Sequence, residues 1–185
     1  MHISDAMKKI LATLLCICAA IGLKAEGPGR HSISLSSGFL TAYDIINMIG
    51  DVNYPPPDIS LGGTYVLGYD FAVSPMFSVG IAAGFALTSV NSYETSHVWR
   101  HYRYFHVMPR LSYRWIRKER FAMYSSAAFG IDFAKEYDRR SVEPAFQITI
   151  ISAEYFFGKS RHFGIFAELG AGFQGILNTG LRLKL

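Results

Sequence analysis

A period-two alternation of large apolar residues with small or polar ones runs through most of this chain and constrains its fold more than any other feature. In residues 163–173 the odd positions carry phenylalanine, isoleucine, leucine and alanine, whereas the even positions carry glycine, Phe166 and Glu168. Residues 76–90 and 120–134 alternate in the same way. Successive side chains of a β-strand point to opposite faces, so the pattern predicts strands. We therefore expect an all-β protein.

The alternating segments divide the chain into eight predicted strands: 30–40, 59–71, 76–90, 101–115, 120–134, 145–157, 162–173 and 176–185. Three connections are short turns, at 72–75, 116–119 and 158–161. Three others are longer and either polar or rich in proline, at 41–58, 91–100 and 135–144. A change of register near Ile151–Ser152 predicts a β-bulge. Pro109 predicts a local break in the hydrogen-bonded ladder.

The first 25 residues are typical of a cleaved secretory signal peptide. Lys8 and Lys9 precede the apolar run 10–23, which is too short to cross a bilayer as a helix, since about 20 residues are needed. Ala25 offers a small residue for cleavage, and Met7 is an alternative initiator. Both cysteines lie in this segment, so residues 26–185 are predicted to form an exported domain without disulfides.

Aromatic residues flank all three short turns at matching positions. Two precede each turn and one follows it, and the set recurs at steps of 44 and 42 residues. The nine residues are Tyr69, Phe71, Phe77, Tyr113, Trp115, Phe121, Tyr155, Phe157 and Phe163. Because amphipathic rings prefer the headgroup level of a membrane, we interpret this set as an interfacial aromatic girdle. A soluble sandwich with aromatic residues at the ends of its core is the alternative.

In strand number, turn lengths, aromatic girdle and amphipathic last strand, residues 26–185 resemble the small eight-stranded outer-membrane barrels of the OmpA/OmpX type. The resemblance implies an antiparallel transmembrane β-barrel in the outer membrane of a Gram-negative bacterium, placed there by the barrel assembly machinery. Members of this type commonly end in an aromatic residue, whereas this chain ends in Leu185. No catalytic motif accompanies the resemblance.

With the apolar face toward lipid, the charged residues of the strands fall on the inward register. Four acids and four bases share it: Asp70, Arg110, Arg114, Asp132, Glu154, Glu168, Arg182 and Lys184. An eight-stranded barrel is just wide enough for side chains to fill, so we predict a closed, salt-bridged lumen. A small water-filled lumen with separately hydrated charges is the alternative.

Candidate catalytic and metal-ligating residues give weak signals. Three histidines lie close in sequence: His97, His101 and His106. The i, i+4 spacing of the first two would align metal ligands on a helix, but these residues fall in a predicted loop and strand. Ser92, Glu94 and Ser96 lie nearby and suggest a lipid-modifying enzyme, without a recognisable triad. We predict no catalytic residue, no metal site and no cofactor.

The end of the barrel with the long loops offers candidate surface contacts. Thr41 and Asp44 match a helix capping box, which predicts a short apolar helix that would contact a partner, lie on the membrane or pack over the barrel mouth. Four arginines near this end are candidate contacts for lipopolysaccharide phosphates: Arg100, Arg103, Arg139 and Arg140. Solvated surface charge is the alternative.

These features together predict a monomeric, non-catalytic outer-membrane protein with a structural or surface-interaction role. Its predicted partners are membrane lipid, lipopolysaccharide, the assembly machinery and an extracellular partner met through the long loops. The net charge of +4, with acids and bases scattered along the chain, does not favour nucleic-acid binding. The competing hypotheses are a small-solute pore, a lipid-modifying enzyme and a soluble lipocalin-like ligand-binding barrel.

Overall fold

The structure, a computed structural model, describes residues 30–42, 59–60, 63–92, 98–136, 139–159 and 161–185, with backbone alone at 59–60, 87–92, 98–102, 135–136 and 139–140. The predicted signal segment, 1–25, lies outside these residues. Nine strands occur in the described parts: β1 (His31–Phe39), β2 (Ile59–Ser60), β3 (Thr64–Ala72), β4 (Phe77–Ser92), β5 (Val98–Arg117), β6 (Phe121–Glu136), β7 (Arg139–Phe156), β8 (Phe163–Gly172) and β9 (Leu177–Lys184). Over the same residues there is no helix long and apolar enough to cross a membrane.

The strands close into a barrel. Hydrogen-bonded neighbours follow the order β3, β1, β9, β8, β7, β6, β5, β4 and return to β3, and every pair is antiparallel. The two-residue strand β2 pairs with β4 just beyond β3, at Ile59↔Val90 and Ser60↔Ser89, and continues the same position in the wall. The barrel therefore has eight strand positions, which confirms the predicted eight-stranded antiparallel β-barrel.

The polarity of this barrel is inverted relative to a soluble protein. Along β1 the inward serines are buried and the outward residues exposed, so that Ser34 is 4% exposed and Leu35 is 57% exposed. Large apolar side chains likewise cover the outside of β3, β8 and β9. Exposing so much contiguous apolar surface to water is unfavourable, whereas lipid covers it without cost. The barrel is thus built to cross a membrane, and the lipocalin-like arrangement with its apolar face inside is not observed.

Both predicted irregularities of the strands are present. In the β7–β8 pair the register shifts between Thr149 and Ile151, which makes Ile150 the extra residue of a bulge. The hydroxyl of Ser125 donates a hydrogen bond of 2.6 Å to the carbonyl oxygen of Ile150. The β5–β6 ladder is interrupted at Pro109, since pairing stops at Val107↔Ile131 and resumes at Arg110↔Ala128.

The wall of the barrel has two heights. Strands β4 to β7 contain 16, 20, 16 and 18 residues, whereas β1, β3, β8 and β9 contain 9, 9, 10 and 8. We call β4–β7 the tall wall. The end of the barrel with the three short turns is the turn end, and the opposite end is the loop end. The tall wall extends beyond the other strands at the loop end. The predicted bounds of the long connections, 91–100 and 135–144, are therefore wrong, because every described residue in these two ranges lies in a strand. The polar residues in these ranges favoured a loop. Backbone pairing between strands does not require apolar side chains, however, so the strands continue through them.

Candidate functional site in the barrel lumen

The first element of the lumen is an ion pair between Asp70 of β3 and Arg110 of β5. The guanidinium donates to both carboxylate oxygens, from Nε to Oδ1 at 3.0 Å and from Nη2 to Oδ2 at 2.5 Å. The intervening strand β4 places Gly80 opposite both residues in the register. A Cβ at Gly80 would lie 2.4 Å from Asp70 Oδ1, so the absent side chain lets the two charged groups meet across β4.

Arg182 of β9 is the centre of a second, connected group. Its Nη1 donates to Glu154 Oε2 at 2.5 Å, and its Nη2 donates to the Tyr124 hydroxyl at 3.0 Å and lies 3.7 Å from Asp70 Oδ2. The guanidinium also stacks over the Phe166 ring, 4.8 Å from its centroid. Arg182 thus links Asp70 to Glu154 in the middle of the lumen.

Tyr124 extends this group to Glu168. The tyrosine hydroxyl donates to Glu168 Oε1 at 2.5 Å, and the side-chain amide of Asn178 donates to Glu168 Oε2 at 3.4 Å. Arg114 adds a third base, with its Nε 3.4 Å from Glu154 Oε1. We call the connected charges the ion-pair network: Asp70, Arg110, Arg114, Glu154, Glu168 and Arg182. It holds three acids and three bases, so buried charge is matched by opposite charge.

Two of the eight predicted lumen charges lie outside this network. Asp132 is fully buried beside His106, with 4.0 Å between its Oδ1 and the Nδ1 of the histidine. Lys184 lies near the turn end, where its Nζ is 3.4 Å from the centroid of the Phe156 ring. All eight predicted charges therefore point inward, and six of them are joined to one another.

The β8–β9 connection folds into the loop end of the lumen. Gly172 and Gly175 have positive φ angles of 141° and 106°, which side chains rarely adopt, and they turn the segment inward. Phe173 packs with Met108, Ala128 and Ala145 in a buried apolar cluster.

A buried glutamine holds the same segment by its backbone. Gln147 of β7 accepts a hydrogen bond from Gln174 N at 2.9 Å and donates one to Gly175 O at 3.1 Å. Gly38 of β1 lies so close that a Cβ there would overlap the carbonyl oxygen of Gln174. We call residues 173–176 the inward loop.

The turn end of the lumen is different. A basin of about 930 Å³ opens there, lined by residues of the three short turns and by the ends of the strands. Arg114, Lys184 and Glu154 reach it from the lumen side, and Arg117 and Lys118 lie at its rim. The ion-pair network therefore separates a packed loop end, which also buries His106 and Asp132, from a basic, open turn end.

Seven residues of the predicted aromatic girdle are exposed on the outside: Tyr69, Phe77, Tyr113, Trp115, Tyr155, Phe157 and Phe163. Phe121 is half-buried and lines the turn-end basin. Phe71 is only 7% exposed, which corrects its assignment to the exposed girdle. Its register partner His31 covers it, with ring centroids 5.1 Å apart.

The other candidate residues are described only in part. Arg103 is exposed, while the side chains of Arg100, Arg139 and Arg140 lie outside the described part of the structure. The same is true of Ser92 and His101, and residues 93–97, with His97, Glu94 and Ser96, are outside it altogether. His106 is described and is buried in the lumen. The described residues contain no group of three potential metal ligands.

Sequence reasoning missed Tyr124, Asn178 and Gln147 as members of the lumen. Each lies on the inward register of its strand: Tyr124 and Asn178 alternate with outward Met123 and Leu177, and all three are buried. The alternation therefore also places these three residues on the inward face, but the predicted lumen residues were the charged ones alone.

Comparison with known proteins finds solved structures at low sequence identity. No protein-family model matches the chain. No curated protein is a match either. Among solved structures, a barrel described as "De novo design of transmembrane beta-barrels" is 14% identical with a TM-score of 0.44, covering 86% of this chain and 98% of that one. Ail, the attachment invasion locus protein of Yersinia pestis, is 16% identical with a TM-score of 0.38, covering 85% of this chain and 96% of that one.

Proposed function

We propose that this chain is an integral outer-membrane protein of a Gram-negative bacterium, with a non-catalytic structural or surface-interaction role and a lumen closed to solutes. The observation that carries the proposal is the inverted barrel: an apolar outside, with a lumen occupied by matched charges and by an inward-folded loop. In the proposed orientation the turn end faces the periplasm and the loop end faces outward.

The closed lumen is supported by what stands in the path along the barrel axis. Arg182, Tyr124 and Glu154 join side chains from three strands across the middle. Phe173 and Met108 then occupy the loop end. A solute would have to break buried charge-assisted hydrogen bonds and displace apolar packing, both of which are costly.

Single-channel recording in planar bilayers tests the closed lumen. We expect the wild-type protein to give no steady open state at moderate voltage. A steady, large conductance would support the small-solute pore instead and would overturn the closed lumen. Omission of the protein from the same detergent preparation is the control.

A surface-interaction role is supported by the tall wall. At its loop end residues 141–144 of β7 are exposed on both faces, and Arg103 of β5 is exposed on the outside. Such a projecting strand surface is accessible to lipopolysaccharide phosphates or to an extracellular partner.

The triple variant R100Q/R103Q/R139Q is expected to bind lipopolysaccharide more weakly than wild type in a vesicle flotation assay, with K159Q as a control at the opposite end. Equal binding by all three proteins would contradict the lipopolysaccharide contact.

Location and catalysis are tested separately. Heat-modifiable migration of the protein from a detergent-extracted outer-membrane fraction is expected, whereas recovery from the soluble periplasm would refute the location. Mass spectrometry of lipid A with and without the protein is expected to show the same acyl pattern. A changed pattern would establish the lipid-modifying enzyme in place of a non-catalytic role.

A further inference from the structure

The turn-end basin carries a concentration of positive charge, most of which lies outside the ion-pair network. Its lining contains six bases and three acids: Arg30, Arg114, Arg117, Lys118, Arg161 and Lys184, against Asp70, Glu119 and Glu154. A volume of about 930 Å³ is enough for a small molecule or a lipid headgroup.

Each acid in the lining already has a partner. Asp70 is held by Arg110, Glu154 by Arg182, and Glu119 accepts a 2.8 Å hydrogen bond from Arg161. These pairs cancel the negative charge of the basin.

Four bases in the lining remain without a carboxylate within 4.0 Å among the described residues: Arg30, Arg117, Lys118 and Lys184. Arg114 hydrogen-bonds a described residue through its Nε alone. The basin therefore has surplus guanidinium and ammonium donors at two depths, since Arg117 and Lys118 are exposed and Lys184 is half-buried.

Converging bases in a concave site favour a multiply charged anion. The low-dielectric walls of a cleft concentrate the field of the charges that line it. The planar guanidinium fork matches the oxygens of a phosphate, and lysine adds a compact point charge. A phosphate group satisfies several such donors at once.

We propose that the turn-end basin binds a phosphate-bearing anion, held by Arg117 and Lys118 at the rim and by Arg114 and Lys184 deeper in. The phosphate belongs either to a lipid headgroup at the turn-end surface of the membrane or to a soluble phosphorylated compound. This site is independent of a closed lumen and of any contact at the loop end.

Pyrophosphate and a matched pair of double variants test the site. In uncharged maltoside micelles at low salt, isothermal titration calorimetry is expected to show saturable pyrophosphate binding to the wild type. In R117Q/K118Q the affinity is expected to fall about tenfold, because two charge-assisted contacts are lost. The control R120Q/K159Q removes the same charge from exposed turn residues at the same end that do not line the basin, and is expected to stay within about twofold of wild type.

Competition by a lipid in mixed micelles then distinguishes the two sources of phosphate. Phosphatidylglycerol in maltoside mixed micelles is expected to displace pyrophosphate if the headgroup is the occupant, with phosphatidylcholine as control. Failure of phosphatidylglycerol to compete would assign the basin to a soluble phosphorylated compound. Absence of pyrophosphate binding to wild type, or equal losses in the two double variants, would overturn the site. Heat-modifiable gel migration of each variant confirms that it is folded.

Discussion

The two ends of the lumen differ in what fills them and in what they exclude. At the loop end, the inward loop places Phe173 against Met108 and leaves no charged side chain in the apolar cluster. At the turn end, an open basin has Arg117 and Lys118 at its rim. Between them lies the ion-pair network, whose charges are matched. The barrel thus uses apolar packing to close one end and paired charge to close the middle, while the bases without a carboxylate partner line the basin that water reaches.

The largest expected effect comes from breaking the network at Arg182. The variant R182M leaves Glu154 and Asp70 with one base each in a buried site, and we expect unfolding in lipid vesicles to become easier by about 3–5 kcal/mol. Urea titration followed by tryptophan fluorescence measures this change. R182K keeps the charge and is expected to recover part of the loss. Wild-type stability in R182M would mean that the buried charges do not depend on pairing.

A second prediction concerns the closure of the loop end. In G38A the new Cβ would overlap the carbonyl oxygen of Gln174, so the inward loop must move. We expect a loss of about 1–3 kcal/mol, typical of overpacking, together with brief channel openings that wild type lacks. G63A is the matched control at the same end, since its Cβ meets only the flexible hydroxyl of Ser37 closely, at 3.2 Å. Channel openings of equal frequency in G38A and G63A would contradict the claim that the inward loop closes this end of the lumen.

The hydrogen bonds of Gln147 give a smaller effect at the same end. Q147L removes both bonds to the inward loop and leaves Gln174 N and Gly175 O without this partner. The expected cost is about 1–2 kcal/mol in the urea titration. Amide hydrogen exchange is expected to accelerate at 173–176 and not in the short turns. Unchanged exchange at 173–176 would contradict the claim that Gln147 holds the inward loop in place.

The smallest effect is expected at the turn end. Arg161 and Glu119 form an exposed pair, with side chains 43% and 79% exposed. Because solvent screens such pairs, R161M is expected to cost at most about 1 kcal/mol. If R161M lost as much free energy of unfolding as R182M, burial would not determine how much an ion pair stabilises this barrel.

The sequence predicted the barrel well because strand alternation is a local property. The eight strands, the bulge at Ile150 and the break at Pro109 all follow from the order of residues within single strands. The inward direction of residues such as Asp70 follows from the same alternation. Alternation does not show which residue pairs with each charge across the lumen. That partner depends on the register between strands and on residues without a side chain, such as Gly80, that leave room between the charges.

The errors have the same origin. Phe71 lies on the outward register, yet its neighbour His31 on another strand covers it. The heights of β6 and β7 were underestimated because strand pairing continues through polar residues and through Pro144, which pairs with Ile131. The inward loop depends on the positive φ angles of Gly172 and Gly175 together with space beside Gly38, which no local pattern reports.

Two cysteine variants test whether the lumen is open at the turn end and closed at the loop end. Ala122 and Ala128 both lie on the inward face of β6 and are both 5% exposed, but Ala122 lines the basin and Ala128 belongs to the apolar cluster. In a C16S/C18S background, A122C is expected to react readily with a charged methanethiosulfonate in lipid vesicles. A128C is expected to stay protected until the protein is unfolded. Comparable reaction of both cysteines in the folded protein would contradict the closed loop end.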